Sequence, residues 1–176
     1  QKQTSRLRGL VTELLDIANM EHKPDIQKFS LSKLFDGICK ELSVTAKSAN
    51  VSISFDKTDI EVLGDYSLLY RALYNLIENA VKYNVAGGSV KISSAIKDDN
   101  AIITIADTGI GIPDSMKNQI FEPFCRVDKS RSREMGGAGL GLSMVDSIMK
   151  KHGGTITVSD NNGRGSCFTV ILPKEN

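Results

Sequence analysis

The chain contains no tryptophan, and only three cysteines, two histidines and four prolines in 176 residues. Cys39, Cys125 and Cys167 form an odd, widely spaced set without a CxxC pair. That pattern excludes a disulfide framework and a cysteine zinc site, and it places the chain in a reducing compartment. His22 and His152 lie far apart without ligand spacing, so neither a structural metal nor a metal cluster is expected. A His-Cys nucleophile pair has no supporting feature. Charge of one sign is lacking too: 22 Lys+Arg balance 21 Asp+Glu for a net +1. A nucleic-acid binder would ordinarily carry a basic face, so nucleic acid is not an expected partner. No apolar run reaches the roughly 18 residues of a membrane-spanning helix, and no secretory signal opens the sequence.

What is present is a 40% hydrophobic chain with clear periodicities, enough for one domain and an appendage. It reads as a soluble fragment of something longer. Leu7, Leu10, Val11, Leu14 and Ala18 recur at helical spacing from Arg6 to Met20, a seam suited to a helix bundle, and Pro24 ends it. Leu34, Phe35, Ile38, Cys39 and Leu42 mark a second helix. Val51–Phe55 alternates as a half-buried strand, and Val62-Leu63 is a short one. Asp65 stands where an N-cap is useful, ahead of a helix from about Tyr66 to Tyr83 with Leu68, Leu69, Ala72, Leu73, Leu76, Ile77, Ala80 and Val81 inward.

Strands are expected at Ser89–Ile96 and Ala101–Ala106 around the turn Asp98–Asn100, and at Thr155–Val158 and Ser166–Leu172 around Asn161–Gly163. Between the two pairs come a glycine-rich turn with a short helix, a polar loop from about Cys125 to Ala138, and a helix over Gly139–Lys151 ending at Gly153-Gly154. Hairpins with helices gathered between them predict an α+β fold: a two-layer sandwich of a mixed β-sheet with helices on one face, preceded by an N-terminal helix.

Three features carry chemistry. Asn75, Asn79 and Lys82, spaced i, i+4, i+7, fall within about 60° on one face of their helix, beside its apolar stripe. Asparagine is a poor helix former, so two in mid-helix call for a reason. An amide oxygen suits a hard cation such as Mg²⁺, Lys82 can offset phosphate charge, and Tyr83 can present its ring to a purine. A solvated polar face is the plainer alternative. Next, Asp107-Thr108-Gly109-Ile110-Gly111-Ile112-Pro113 follows a strand. Its glycines permit close backbone approach, and Asp107 can accept from an exocyclic amine. An ordinary strand-to-helix turn reads the same way. Last, Gly136-Gly137-Ala138-Gly139-Leu140-Gly141-Leu142 runs into a helix, whose N-terminal amides attract anions. No GK[ST] follows, so it is not a Walker loop. No strand precedes it, so it is not a Rossmann fingerprint. The intervening Phe121–Glu134 segment is a candidate lid, or else a plain surface loop. Cys125 within it reads as a small apolar residue.

In order, these segments resemble the boxes of sensor histidine kinases. Asn75–Tyr83 is similar to the N box, Asp107–Gly111 to the first glycine box, Phe121–Phe124 to the F box and Gly137–Gly141 to the second glycine box. Gly153-Gly154, Gly165-Ser166, Phe168 and Leu172-Pro173 resemble the family's closing hairpin. The likeness runs from about residue 30 to the end. It implies the ATP-binding fold shared with DNA gyrase, the heat-shock chaperone and the mismatch-repair ATPase. It implies ATP and Mg²⁺ as cofactors, with Asn79 on the metal and Asn75 close by, Tyr83 on the adenine and Asp107 on its amino group. Lys82, Arg126 and the lid glycines Gly137, Gly139 and Gly141 would engage the phosphates. Gly109, Gly111, Ile112, Phe124, Leu140 and Leu142 complete the implied nucleotide-binding set, and Asn75, Asn79, Lys82 and Arg126 the catalytic one.

The gyrase branch carries a glutamate base where this chain has Asn75. An amide takes no proton from water, and Glu78 lies off that face, so kinase chemistry is favoured over hydrolysis. No H box with an acceptor histidine is present. His22 reads as a linker residue and His152 as structural. The expected division is 1–23 as the end of the dimerisation hairpin's second helix, 24–30 as linker and 31–174 as the catalytic domain. The resemblance implies as partners the protein's own hairpin in a homodimer and a response-regulator receiver domain. It implies a location on the cytoplasmic side, with the intact protein anchored in the membrane. The rival readings are a nucleotide-gated interaction module without phosphotransfer and a serine kinase of the anti-sigma type.

Overall fold

The computed structural model describes residues 23–127 and 139–173. The helix expected over Arg6–Met20, the hairpin piece 1–23 apart from Lys23, and most of the polar loop lie outside the described residues.

The first element departs from expectation. Ile26–Ser30, read as linker, is strand β1. It pairs antiparallel with β3 (Glu61–Asp65), Ile26 opposite Asp65 and Ser30 opposite Glu61. A five-residue strand whose partner lies 35 residues away carries no period long enough to read locally. Its anchor is Phe29, edge-on to Tyr66 with ring centroids 5.1 Å apart.

Helix α1 (Leu31–Ser48) then buries Leu31, Leu34, Phe35, Ile38, Leu42 and Ala46, an i, i+3, i+4 stripe along one side. Strand β2 (Ser52–Phe55) follows, and α2 (Tyr66–Lys82) begins directly after β3. Asp65 caps α2 as expected, its carboxylate accepting from Leu68 N–H at 3.1 Å. Strands β4 (Ser89–Lys97) and β5 (Asn100–Asp107) form a hairpin, with Asp98 and Asp99 both at positive φ in the turn. The short helix after the glycine turn is a single 3₁₀ turn, Asp114–Met116. Helix α3 (Gly141–Lys151) starts two residues later than expected, so Gly139 and Leu140 remain in the approach to it. Strands β6 (Thr155–Asp160) and β7 (Ser166–Pro173) close the chain.

The main sheet has the order β2-β4-β5-β7-β6, with β2 parallel to β4 and every other pair antiparallel. β5 and β7 alternate between buried and half-buried along their lengths, so one sheet face is covered and the other is not. On the covered face, Val90, Ile92, Ile103, Ile105 and Val170 meet the inward stripes of the three helices in one continuous core. Each such side chain taken from water stabilises the fold by about 1.5–3 kcal/mol. This is the expected two-layer sandwich. No helix among the described residues is long and apolar enough to cross a membrane.

The consequence for function lies at one end of the sheet. The start of β4, the end of β5, the end of β6 and the start of β7 come together there, beside the C-terminal half of α2.

Candidate functional site

Along α2 the buried positions are Leu69, Ala72, Leu73, Leu76, Ile77, Ala80 and Val81. Asn75, Asn79 and Lys82 flank that stripe and are all half-buried, at the border between core and solvent where helical spacing puts them. Tyr83 caps the helix rather than continuing it, its N–H bonded to the Asn79 carbonyl at 2.9 Å. Lys82 Nζ lies 5.5 Å from the centre of the Tyr83 ring.

The two glycine turns approach this helix at two levels. Ile110 N–H donates to the Tyr83 carbonyl at 3.1 Å. A Cβ on Gly109 would collide with that same carbonyl, so only glycine lets the first turn close on the helix end. Two turns of helix away, a Cβ on Gly141 would stand 2.6 Å from Asn75 Oδ1. Glycine there lets the start of α3 sit against the amide. The first and second glycine segments therefore bracket Asn79 from either side along the helix.

Asp107, at the end of β5, is buried. Its Oδ1 accepts from Gly109 N–H at 2.8 Å and Ser166 N–H at 3.2 Å. Burial pushes the carboxyl above the ordinary carboxylate range, and the two N–H bonds pull against that shift. Ile112 packs at the edge of the core. Gly111 faces the backbone of Gly165 across the turn.

Phe121 meets Phe168 edge-on at 6.5 Å, while Phe124 is exposed, with its N–H on the Gly139 carbonyl at 2.9 Å. That bond ties the F-box segment to the second glycine segment. Leu140 is buried, and Ser143 Oγ donates to its carbonyl at 2.9 Å. Among the described residues no side chain caps the N-terminus of α3, whose first residues are Gly141 and Leu142, and the amides of such a helix turn suit an anion. Arg126 Nη2 is buried with no hydrogen-bond partner among the described residues. Its positive charge also acts on Tyr83, opposing the upward push that burial gives the phenol. Gly137 lies outside the described residues.

Two further residues went unnoticed in the sequence. Asn84 Nδ2 donates to the Ala80 and Ser89 carbonyls, both at 3.0 Å, and its Oδ1 accepts from Val85 N–H at 2.9 Å. Thr108 Oγ1 accepts from Ser89 N–H at 2.8 Å and donates to Asn84 Oδ1 at 3.2 Å. Together they fasten the end of α2 to the first glycine turn. Their neighbours Tyr83 and Asp107 stood out by chemistry, whereas a side chain that bonds distant backbone and one other such side chain has no local signature.

The arrangement suits a purine nucleotide. A buried acceptor sits at one end, the start of a helix at the other, and neutral amides lie between, with the Arg126 charge close enough to act on Tyr83.

Comparison with known proteins agrees. Residues 64–176 match the family described as histidine kinase-, DNA gyrase B-, and HSP90-like ATPase. The chain is 40% identical over 178 residues to the sensor histidine kinase RppB of Synechocystis, covering 98% of this chain and 39% of that protein. Among solved structures, the Acinetobacter baumannii histidine kinase AdeS superposes with a TM-score of 0.81 at 28% identity, over 99% of this chain and 81% of the other. Full-length ShkA, solved in complex with AMPPNP, gives 0.82 at 26% identity over 95% of this chain and 35% of that one. The chain spans under half the length of the curated relatives it matches. With fold, motif order and site geometry in agreement, the chain belongs to the histidine kinase-, DNA gyrase B-, and HSP90-like ATPase family and carries the ATP-binding catalytic domain of a sensor histidine kinase.

Proposed function

We propose that the intact protein transfers the γ-phosphoryl group of ATP to a histidine on its own dimerisation hairpin, in a homodimer, and from there to an aspartate of a response-regulator receiver domain. The observation that carries this reading is the bracketing of one helix face by both glycine segments, Tyr83 against Gly109 and Asn75 against Gly141.

In this reading Asp107 Oδ2 accepts from the adenine amino group, and Tyr83 packs on the ring. Gly111, Ile112, Leu140 and Leu142 shape the walls around the nucleotide. The amides at the start of α3, with Gly137, Gly139 and Gly141, receive the phosphates, and Phe124 holds Gly139 in place. Arg126 brings to the triphosphate the guanidinium nitrogen that lacks a partner among the described residues. Lys82, on the helix face that carries Asn75 and Asn79, adds a positive charge. Asn79, with Asn75 beside it, would hold Mg²⁺ through its amide oxygen, and the ion when bound would neutralise phosphate charge.

The transfer breaks the bond between the γ-phosphorus and the β,γ-bridging oxygen and forms a phosphorus–nitrogen bond to the acceptor imidazole. ADP leaves, and the imidazole proton passes to solvent. Positioning and charge neutralisation do most of the work in such a loose transition state. Asn75 supports the assignment, since an amide cannot activate water and the γ-phosphoryl waits for a protein nucleophile. In the same reading this domain lies on the cytoplasmic side, with the intact protein anchored in the membrane.

The direct test mixes this chain with a separately produced hairpin that carries the acceptor histidine and supplies γ-labelled ATP. Acid-labile, alkali-stable label on the hairpin is the expected result, lost in Asn79→Asp. ATP binding with no transfer would instead favour a nucleotide-gated interaction module.

A further inference from the structure

The ladder between β5 and β7 stops one residue early, at Ala106 opposite Cys167. Continuing the register would put Asp107 opposite Ser166. Thr108 N–H donates to the Ser89 carbonyl at 3.1 Å. Along β5, then, even-numbered residues bond toward β4 and odd-numbered ones, Asp107 included, toward β7. In a regular ladder the Ser166 N–H would go to the Asp107 carbonyl. It goes instead to the carboxylate, Oδ1, at 3.2 Å. That diversion would leave a carbonyl without its ladder donor at a buried residue, a cost of about 1–3 kcal/mol. The donor comes from elsewhere: Asn161 Nδ2 reaches the Asp107 carbonyl at 2.9 Å.

We infer that Asn161 is a positioning residue for adenine recognition, its amide replacing the missing ladder donor so that the Ser166 N–H is released to orient the Asp107 carboxylate. The inference rests on the nucleotide-binding reading of Asp107.

The turn holding Asn161 is built for this. Asn161 N–H bonds the Gly165 carbonyl at 3.2 Å, and Arg164 N–H the Asn161 carbonyl at 2.9 Å, so the loop between β6 and β7 is closed on itself. Gly165, at φ +93°, runs so close to the Asp107 carbonyl that any Cβ would overlap it. Asp160, one residue earlier, meets Lys117 Nζ at 2.8 Å, and Lys117 also pairs with Asp114. The turn is thereby tied to the 3₁₀ segment that leaves the first glycine turn. Asn161 is half-exposed and its neighbours Asn162 and Gly163 are exposed, so a substitution there is not a core change.

The experiment compares ATP with purine riboside triphosphate, which lacks the exocyclic amine, by calorimetry on the wild type, Asn161→Ala and Asn161→Asp. The aspartate keeps the shape and removes the donor, so it answers the question should the alanine variant not fold. The wild type is expected to prefer ATP by about tenfold or more, the worth of one hydrogen bond to a charged group. Both variants are expected to lose most of that preference, through weaker ATP binding and nearly unchanged binding of the analogue. A variant that keeps the wild-type ratio, or weakens both ligands equally, overturns the role of Asn161. A wild type that shows no preference overturns the assignment of Asp107 itself.

Discussion

Asp107 is a carboxylate buried at the end of a strand, and two backbone N–H groups hold its charge only in part against desolvation. Its folded pKa is raised, so the folded state takes up a proton more readily than the unfolded chain. The stability associated with that proton is present at low pH and is lost as pH rises through the folded value. Asp107→Asn keeps an oxygen for the Gly109 and Ser166 amides and carries no charge. We expect the nucleotide-free variant to melt higher than wild type near neutral pH, with the gain shrinking as pH falls through the raised folded value and gone once pH is below the ordinary carboxylate range. The new NH₂ would face the adenine amine, donor to donor, so ATP affinity should fall about 10- to 100-fold. Thermal scans across pH and calorimetry check the two halves, and a variant that binds ATP as wild type does would remove Asp107 from the site.

Helix α2 is the element on which the site depends, and its two ends are fixed by different means. At the N-terminus the Asp65 carboxylate accepts from Leu68 N–H and from Asp25 N–H at 3.0 Å. The Asp65 N–H donates to His152 Nε2 at 3.0 Å. His152 is buried and its Nδ1 lies 2.8 Å from the Ile148 carbonyl. Since Nε2 accepts, Nδ1 carries the proton and donates to that carbonyl. One imidazole thus joins the end of α3 to the start of α2, which accounts for the histidine that chemistry alone read as structural. Asp65→Ala should cost about 1 kcal/mol, as loss of an N-cap does, read as a lower urea midpoint with an unchanged slope. ATP affinity should change little, because Asn75, Asn79 and Tyr83 lie at the other end of the helix. A large loss of affinity at unchanged stability would contradict this division.

On the scale of the whole domain, a ligand that binds only the folded state stabilises it by mass action. ATP with Mg²⁺ at one hundred times its dissociation constant should contribute about 2.7 kcal/mol, a rise of about 5–10 °C in melting temperature for a chain of this size. Chelating the metal at the same ATP concentration should shrink the rise. No rise with either would mean that the domain does not hold the nucleotide in its folded form.

The amino-acid order by itself determined the three described helices, the hairpin strands, the Asp65 cap and the first glycine turn, because each is written within a few residues as a period, a cap or a glycine pattern. The candidate site could be nominated for the same reason: Asn75, Asn79, Asp107 and the glycines are residue types that need a reason to be where they are. Only the tertiary structure decided that residues 26–30 are a strand and not a linker, since their partner β3 lies far along the chain. It alone showed Asn84 and Thr108 bolting a helix end to a turn, Arg126 with an unmatched nitrogen, and Asn161 completing a ladder fifty-four residues from Asp107. Each is a matter of partners that lie far along the chain, whether a hydrogen bond made across the fold or one left unmade. A polar side chain that bonds a distant carbonyl looks, in one dimension, like any other surface residue.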